Sequence, residues 1–171
     1  MTMQARGDLE PPARPADERW MREALGAARE AARAGEVPVG ACVVAADGAT
    51  LLAVAGNRTR TDCDPTAHAE VLALREAARR VGNYRLTGAV VYSTVEPCAM
   101  CAGALVQARV ARLVYGARDE KAGAVESVFR VCDASSLNHR VELAAGVLEA
   151  DCRALMQEFF RERRKKVMNA E

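Results

Sequence analysis

Residues 89–115 read AVVYSTVEPCAMCAGALVQARVARLVY, and this stretch decides the fold class. Its opening, 89–94, is apolar and β-branched and predicts a buried strand. Pro97 stands where a helix can begin, because its missing N–H falls among groups unpaired there anyway. Residues 98–108 continue as that helix, and 112–115 form a second short strand. Working outward, Trp20, Ala24, Leu25, Ala28 and Ala32 recur at helical spacing from Asp17, with Gly35 as a stop. Residues 37–46 form an apolar strand that Asp47-Gly48 turns, as a two-residue hairpin, into a strand at 51–55. The polar segment 57–65 is a loop, after which Thr66 caps a helix over 67–80 closed by Gly82. Downstream come a loop at 116–127, a weak helical turn at 128–132, a last strand at 141–147 and a helix at 151–166. Strands alternating with helices predict an α/β sandwich in which the hairpin supplies an antiparallel portion.

Size and composition fit this reading. A chain of 171 residues can bury one sizeable core, and 50% hydrophobic with 27% charged residues are the proportions of a soluble globular protein. The organisation expected is a flexible leader over 1–16, one domain over 17–166 and a tail over 167–171. Aromatics make up 4%, too few for a broad stacking platform, and a net charge of +1 gives no global pull toward polyanions. No stretch approaches the roughly 18 apolar residues of a membrane span, and the leader lacks the apolar centre of a secretory signal. The cytoplasm is the expected compartment, where the six cysteines are metal ligands, catalytic groups or small buried residues rather than disulfides.

Two short motifs carry chemistry: His68-Ala69-Glu70 and Pro97-Cys98-Ala99-Met100-Cys101, each at a predicted helix N-terminus. Cys98 and Cys101 are three apart and share a helix face. The positive end of the helix favours thiolate, the form that zinc binds. With His68 the protein ligands number three, which leaves a tetrahedral position for water and marks a catalytic rather than structural Zn2+. Such an ion lowers the pKa of water from about 15.7 to about 7. Glu70, two residues from the histidine, is placed to move protons without being a ligand.

Each piece alone has a plainer reading. A CxxC is often a redox pair or half of a structural zinc site, a lone His is usually a satisfied surface or core group, and Glu70 is a first-turn carboxylate favoured by the helix dipole. Their conjunction favours the catalytic metal. The other histidine, His139, sits in a different context, and Cys42, Cys63, Cys132 and Cys152 form no second pair at ligand spacing. H-x-E with P-C-x-x-C is also the signature of zinc deaminases.

The sequence resembles the bacterial tRNA-specific adenosine deaminases from about Trp20 to about Lys165. The blocks that carry the resemblance are Glu36-Val37-Pro38-Val39-Gly40, Asn57-Arg58, Asp64-Pro65-Thr66-Ala67-His68-Ala69-Glu70, Asn83-Tyr84-Arg85-Leu86 and Glu96-Pro97-Cys98 with Met100-Cys101-Ala102-Gly103-Ala104. Gly116-Ala117-Arg118-Asp119, Asn138-His139-Arg140-Val141-Glu142 and Phe159-Phe160-Arg161 point more narrowly to the tRNA enzymes. The resemblance implies a three-layer α-β-α, cytidine deaminase-like fold around a mixed five-stranded central sheet. It implies hydrolysis of the wobble adenosine of an anticodon, in tRNA-Arg with an ACG anticodon, to inosine and ammonia. It implies one Zn2+ per subunit on His68, Cys98 and Cys101, with Glu70 as proton shuttle. Asn57 would bond the flipped nucleoside, and Asp119, Asn138 and Phe160 would lie near a tRNA anticodon loop bound across a homodimer.

Plainer readings stand beside these. Asn57 could simply stabilise its turn, and Asp119 in a polar loop would by default face solvent. Arg161, Arg163, Arg164, Lys165 and Lys166 either complement a helix C-terminus or hold RNA phosphates. Of Phe159 and Phe160, one is expected in the core and the other against RNA bases. The segment 59–63 departs from the better-known bacterial members, and the proline-containing leader lies outside the match. Two further functions remain open: deamination of a free base or nucleoside such as guanine or cytosine, and RNA binding around a structural zinc.

Overall fold

The structure is a computed structural model that describes residues 14–168. Most of the expected leader and tail therefore lies outside the described residues, although 167 and 168 belong to the last helix. The expected small face of the first helix, α1 (Asp17–Arg33), buries Trp20, Met21, Ala24, Leu25 and Ala28. It lies directly on β1 (Gly40–Val44), which pairs antiparallel with β2 (Leu51–Gly56). A side chain at Gly40 would sit 2.0 Å from the Ala24 carbonyl oxygen, so glycine there sets how closely helix and sheet approach. The hairpin turn is longer than the expected two residues. Ala45 N–H bonds the Thr50 carbonyl, and the Asp47 carboxylate holds the Ala49 and Thr50 amides, organising a four-residue loop.

Helix α2 (Ala69–Val81) ends, as expected, on Gly82 in the left-handed region at φ 71°. β3 (Val90–Val95), α3 (Ala99–Gln107) and β4 (Arg112–Ala117) form the strand–helix–strand unit read from 89–115, and β3 runs parallel to β4. The last strand, β5 (Glu142–Ala144), is shorter than expected, because Gly146 and Leu148 at φ 81° and 51° turn the chain into α4 (Glu149–Met168). Residues 128–132 run from a bend through irregular backbone into a turn rather than a helix, with the Val131 amide bonding the Ala124 carbonyl and the Val141 amide the Cys132 carbonyl. The sheet order is β2-β1-β3-β4-β5, antiparallel on the hairpin side and parallel on the other. Helices α2 and α3 cover one face, and α1 with α4 the other. This is the expected three-layer fold with a mixed five-stranded sheet. Among the described residues no helix is long and apolar enough to cross a membrane.

The two ends of the sheet do different work. At the starts of β3 and β4, the buried Arg112 guanidinium grips Asp17 bidentately at 2.8 and 3.0 Å, and Tyr92 donates to the same carboxylate at 3.0 Å. Burial alone would raise the Asp17 carboxyl, but hydrogen bonds from Arg112, the Arg14 amide and Tyr92 outweigh it and hold the group below its ordinary 3.8. A lowered folded-state pKa contributes stability that is complete above 3.8 and lost as pH falls through the folded value. Asp17→Asn removes the buried carboxylate that the guanidinium grips and leaves it only the half-exposed Glu142, whose Oε1 lies 3.1 Å from Arg112 Nε. The change is expected to cost about 3 kcal/mol at neutral pH. Urea midpoints measured at pH 6 and near pH 3 should show the gap to wild type narrowing in acid; a pH-independent gap would refute this account.

Candidate metal and nucleobase site

The opposite end of the sheet gathers the chemistry. β2, β3 and β4 all finish there, and β1 begins there, so Asn57, Glu96 and Arg118 leave or border the same edge. Ligand sites in α/β sheets favour this carboxyl edge. His68 and Cys98 are the N-cap residues of α2 and α3, and neither side chain makes a capping hydrogen bond. They turn instead toward each other: His68 Nδ1 lies 3.7 Å from Cys98 Sγ and 3.5 Å from Cys101 Sγ. The three donor atoms fall within 4.8 Å of one another and could hold a metal ion, and no other His, Cys, Asp or Glu among the described residues completes such a group with them. His139 is elsewhere, its Nε2 2.7 Å from the Val110 carbonyl.

Two helix N-termini point at this cluster, and their orphan N–H groups favour anionic sulfur. Hydrogen bonds from the Cys101 thiol first, and His68 second, bring Cys98 down to about 3. Partnership with Cys98 raises His68 in turn. The thiols of Cys42, Cys132 and Cys152 are instead pushed up to about 12 by burial, which leaves them inert.

Glu70, one residue into α2, is 3% exposed. Ser93 donates to its Oε1 at 3.3 Å, while the buried Oε2 has no hydrogen-bond partner. Burial raises its carboxyl above 4.5. An orphaned carboxylate oxygen in the interior is expensive and points to a role outside stability. It borders a cavity of about 250 Å³ together with His68, Cys98, Asn57 and Asp119.

Asn57 does what its plainer reading supposed and more. Its Oδ1 accepts the Ala69 N–H at 2.8 Å, so it caps α2 from across the loop. The helix therefore begins at Ala69 with His68 as its cap, two residues later than expected, and Thr66 bonds Asp64 instead. That donor fixes the amide's oxygen, and the residue borders the cavity. Asp119 Oδ1 holds the Lys121 and Ala122 amides, and the residue lines both the small cavity and an adjoining groove of about 600 Å³. That groove runs past Met156 to Phe160, which is 39% exposed.

Neither Phe159 nor Phe160 lies in the core: the former is half-buried, the rings meet edge-to-face at 5.5 Å, and Arg163 stacks over Phe159. Asn138 is not brought to the cavity. It is exposed beyond α3, where its carbonyl accepts from Arg109 at 3.0 Å. Sequence reading gave no role to Glu36 and Glu96, two buried carboxylates that bind loop amides on opposite walls. The signal was a charge set inside each apolar stretch, Glu36 before Val37-Pro38-Val39 and Glu96 after Val95.

A sheet edge with two inward helix caps, two thiols and an imidazole as donors, and an orphan carboxylate fits the deaminase class, and the family model of the MafB19-like deaminases matches residues 16–164. The tRNA-specific adenosine deaminase of Haemophilus influenzae is 44% identical over 149 residues, spanning 87% of this chain and 86% of its own. That of Bacillus subtilis is 43% identical over 150 residues, spanning 88% and 92%. A solved structure of a tRNA:A34 deaminase, studied for A-to-I editing at the wobble position, superposes with a TM-score of 0.77 at 44% identity, over 80% of this chain and 98% of that one. A guanine deaminase from Nitrosomonas europaea gives 0.71 at 27% identity, over 89% and 88%. The chain belongs to the tRNA-specific adenosine deaminase family.

Proposed function

We propose that this chain hydrolyses the exocyclic amine of the wobble adenosine in a tRNA anticodon, giving inosine and ammonia. The observation that carries the reading is Glu70 Oε2, buried and unpartnered beside the His68, Cys98 and Cys101 donors. The donor set fits Zn2+, one per subunit. Zinc–sulfur bonds of about 2.3 Å and zinc–nitrogen bonds of about 2.0–2.1 Å at tetrahedral angles place donors about 3.6 Å apart. The separations here are 3.5 and 3.7 Å. When bound, the ion supplies an acidified water at neutral pH.

The chain's own residues do the rest. Glu70 takes the water proton at Oε2 and delivers it to the ring nitrogen as the oxygen adds to C6. It then takes the proton of the new C6 hydroxyl and gives it to the amine, so that the C–N bond breaks, ammonia departs and the C6 carbonyl forms. Its raised carboxyl suits a group that must hold a proton between those steps. Asn57 presents Nδ2 to an acceptor on the substrate while its Oδ1 stays on α2. The cavity of about 250 Å³ falls below the range of about 300–1,000 Å³ for drug-sized ligands and fits one extruded base. An unpaired loop lowers the cost of that extrusion.

Asp119 and Phe160 form the path along which the anticodon loop would lie, and the cations of 161–166, all exposed, would meet its phosphates. For Asn138 we propose a contact with RNA spanning a homodimer. The exposed groove between α2 and α3, lined by Val71, Leu74, Tyr84 and Ala104, offers a second copy an apolar surface. Residues 17–166 form the catalytic domain, and the cytoplasm is its compartment.

Incubated with an ACG-anticodon tRNA-Arg, the protein should convert the wobble A to inosine, which sequencing reads as G. Unchanged A alongside robust release of ammonia from guanine would replace this reading with that of a free-base deaminase.

A further inference from the structure

We propose that Glu96 is a positioning residue that locks the Asp119 wall of the pocket to the segment delivering Cys98, so that capture of the substrate depends on it. Its kinetic arm rests on the deamination reading above. Glu96 closes β3 and is 3% exposed. Its Oε1 accepts the amides of Val125, Glu126 and Ser127 at 3.2, 2.8 and 2.9 Å. Its Oε2 accepts the Asp119 amide at 3.1 Å and the Ser127 hydroxyl. One carboxylate thus gathers both ends of the 119–127 loop.

The next two residues continue the attachment. The Pro97 carbonyl accepts the Ala124 amide at 2.8 Å, and Cys98 bridges to Gly123. A side chain at Gly123 would come within 2.4 Å of Glu96 Cδ, so the loop is seated as closely as backbone permits. Residues 96–98 therefore carry the substrate wall and a donor of the candidate metal site on one short piece of chain. Although Glu96 borders the cavity, both its oxygens are committed to the loop, and it is not a second base.

The residue type matters. A carboxylate is an acceptor only, with about four lone-pair sites for these donors. Glutamine would turn an NH₂ either toward the three amides that Oε1 accepts or toward the Asp119 amide that Oε2 accepts, and would lose those bonds. Glu36 shows the same device on the opposite wall, where it accepts the amides of Arg60 and Thr61 at 3.0 and 2.7 Å and both threonine hydroxyls of 59 and 61.

The test compares wild type, Glu96→Gln, Glu96→Asp and Asp17→Asn, the last a destabilising change at the far end of the sheet. Glu96→Gln should retain its bound zinc, raise KM for tRNA about tenfold and leave kcat within about threefold, because Glu70 and Cys101 sit in helices α2 and α3, with His68 and Cys98 at the N-caps of those helices. Amide exchange at 125–127 should quicken. Glu96→Asp, which keeps the acceptors on a shorter arm, should recover part of KM, and Asp17→Asn should leave KM unchanged. Loss of zinc, a fall in kcat at constant KM, unchanged exchange at 125–127, or an equal KM rise in Asp17→Asn would each overturn the proposal. A wild-type protein that makes no inosine would instead sink the deamination reading, and the exchange arm would still judge the clamp.

Discussion

Glu70→Ala is expected to lower the rate of inosine formation by about 10³–10⁴-fold at saturating tRNA while the protein keeps its metal and its fold. A positioned general acid–base contributes about 10²–10⁴ to a rate, and the upper part of that range applies because one carboxylate serves successive proton transfers. The isosteric Glu70→Gln should lose nearly as much, since an amide fills the space but cannot take a proton. Stability should move the other way. Glu70 is 3% exposed and its Oε2 is unpartnered, so removing the carboxylate relieves a desolvation cost. A urea midpoint that holds or rises while activity collapses is the mark of a group kept for chemistry at the expense of stability. The measurements are kcat with an ACG-anticodon tRNA, zinc content and the midpoint. Activity within tenfold of wild type in Glu70→Gln would remove Glu70 from the mechanism.

The same residues show how far a sequence can be read. The stretch 89–115 was legible because its strand, helix and strand are local, and β3, α3 and β4 lie where the periodicity puts them. His68, Cys98 and Cys101 were legible as a set because both motifs begin helices and ligand chemistry restricts the choice of residue. What failed was set by partners distant in the chain. Thr66 lost the cap of α2 to His68 because Asn57, twelve residues before Ala69, supplies the hydrogen bond from across the loop. β5 stops at Ala144 because Gly146 and Leu148 turn the chain, although the apolar run continues. Glu36 and Glu96 received no role from the sequence, because the amides that surround them come from loops more than twenty residues away in the chain. Asn138 is a separate case: the resemblance groups it with Asp119 and Phe160 as an RNA contact, not as a lining residue, and it lies outside the groove that those two share.

Removal of the proposed Zn2+ is expected to abolish deamination and to lower stability without unfolding the chain. A strong chelator leaves His68, Cys98 and Cys101 as a cluster of one thiolate and its hydrogen-bonded neighbours, with no source of acidified water. An ion held at about a thousand times its dissociation constant stabilises the folded state by about 4 kcal/mol. For a domain of this size that corresponds to a fall in Tm of about 8–16 °C. Unfolding should not follow, because both apolar clusters of the core, around Leu105 and Val91 on one face and Trp20 and Met21 on the other, form without the ion. Re-added zinc should restore activity and Tm together. Cys101→Ser should reproduce the chelated state in activity, with zinc unable to rescue it, because a serine hydroxyl does not offer the anionic sulfur that the helix N-terminus stabilises. Thermal scans and inosine yield across a zinc titration check all of this. Full activity in a strong chelator, or a Cys101→Ser protein that zinc revives, would show that the three donors serve the fold and not the reaction.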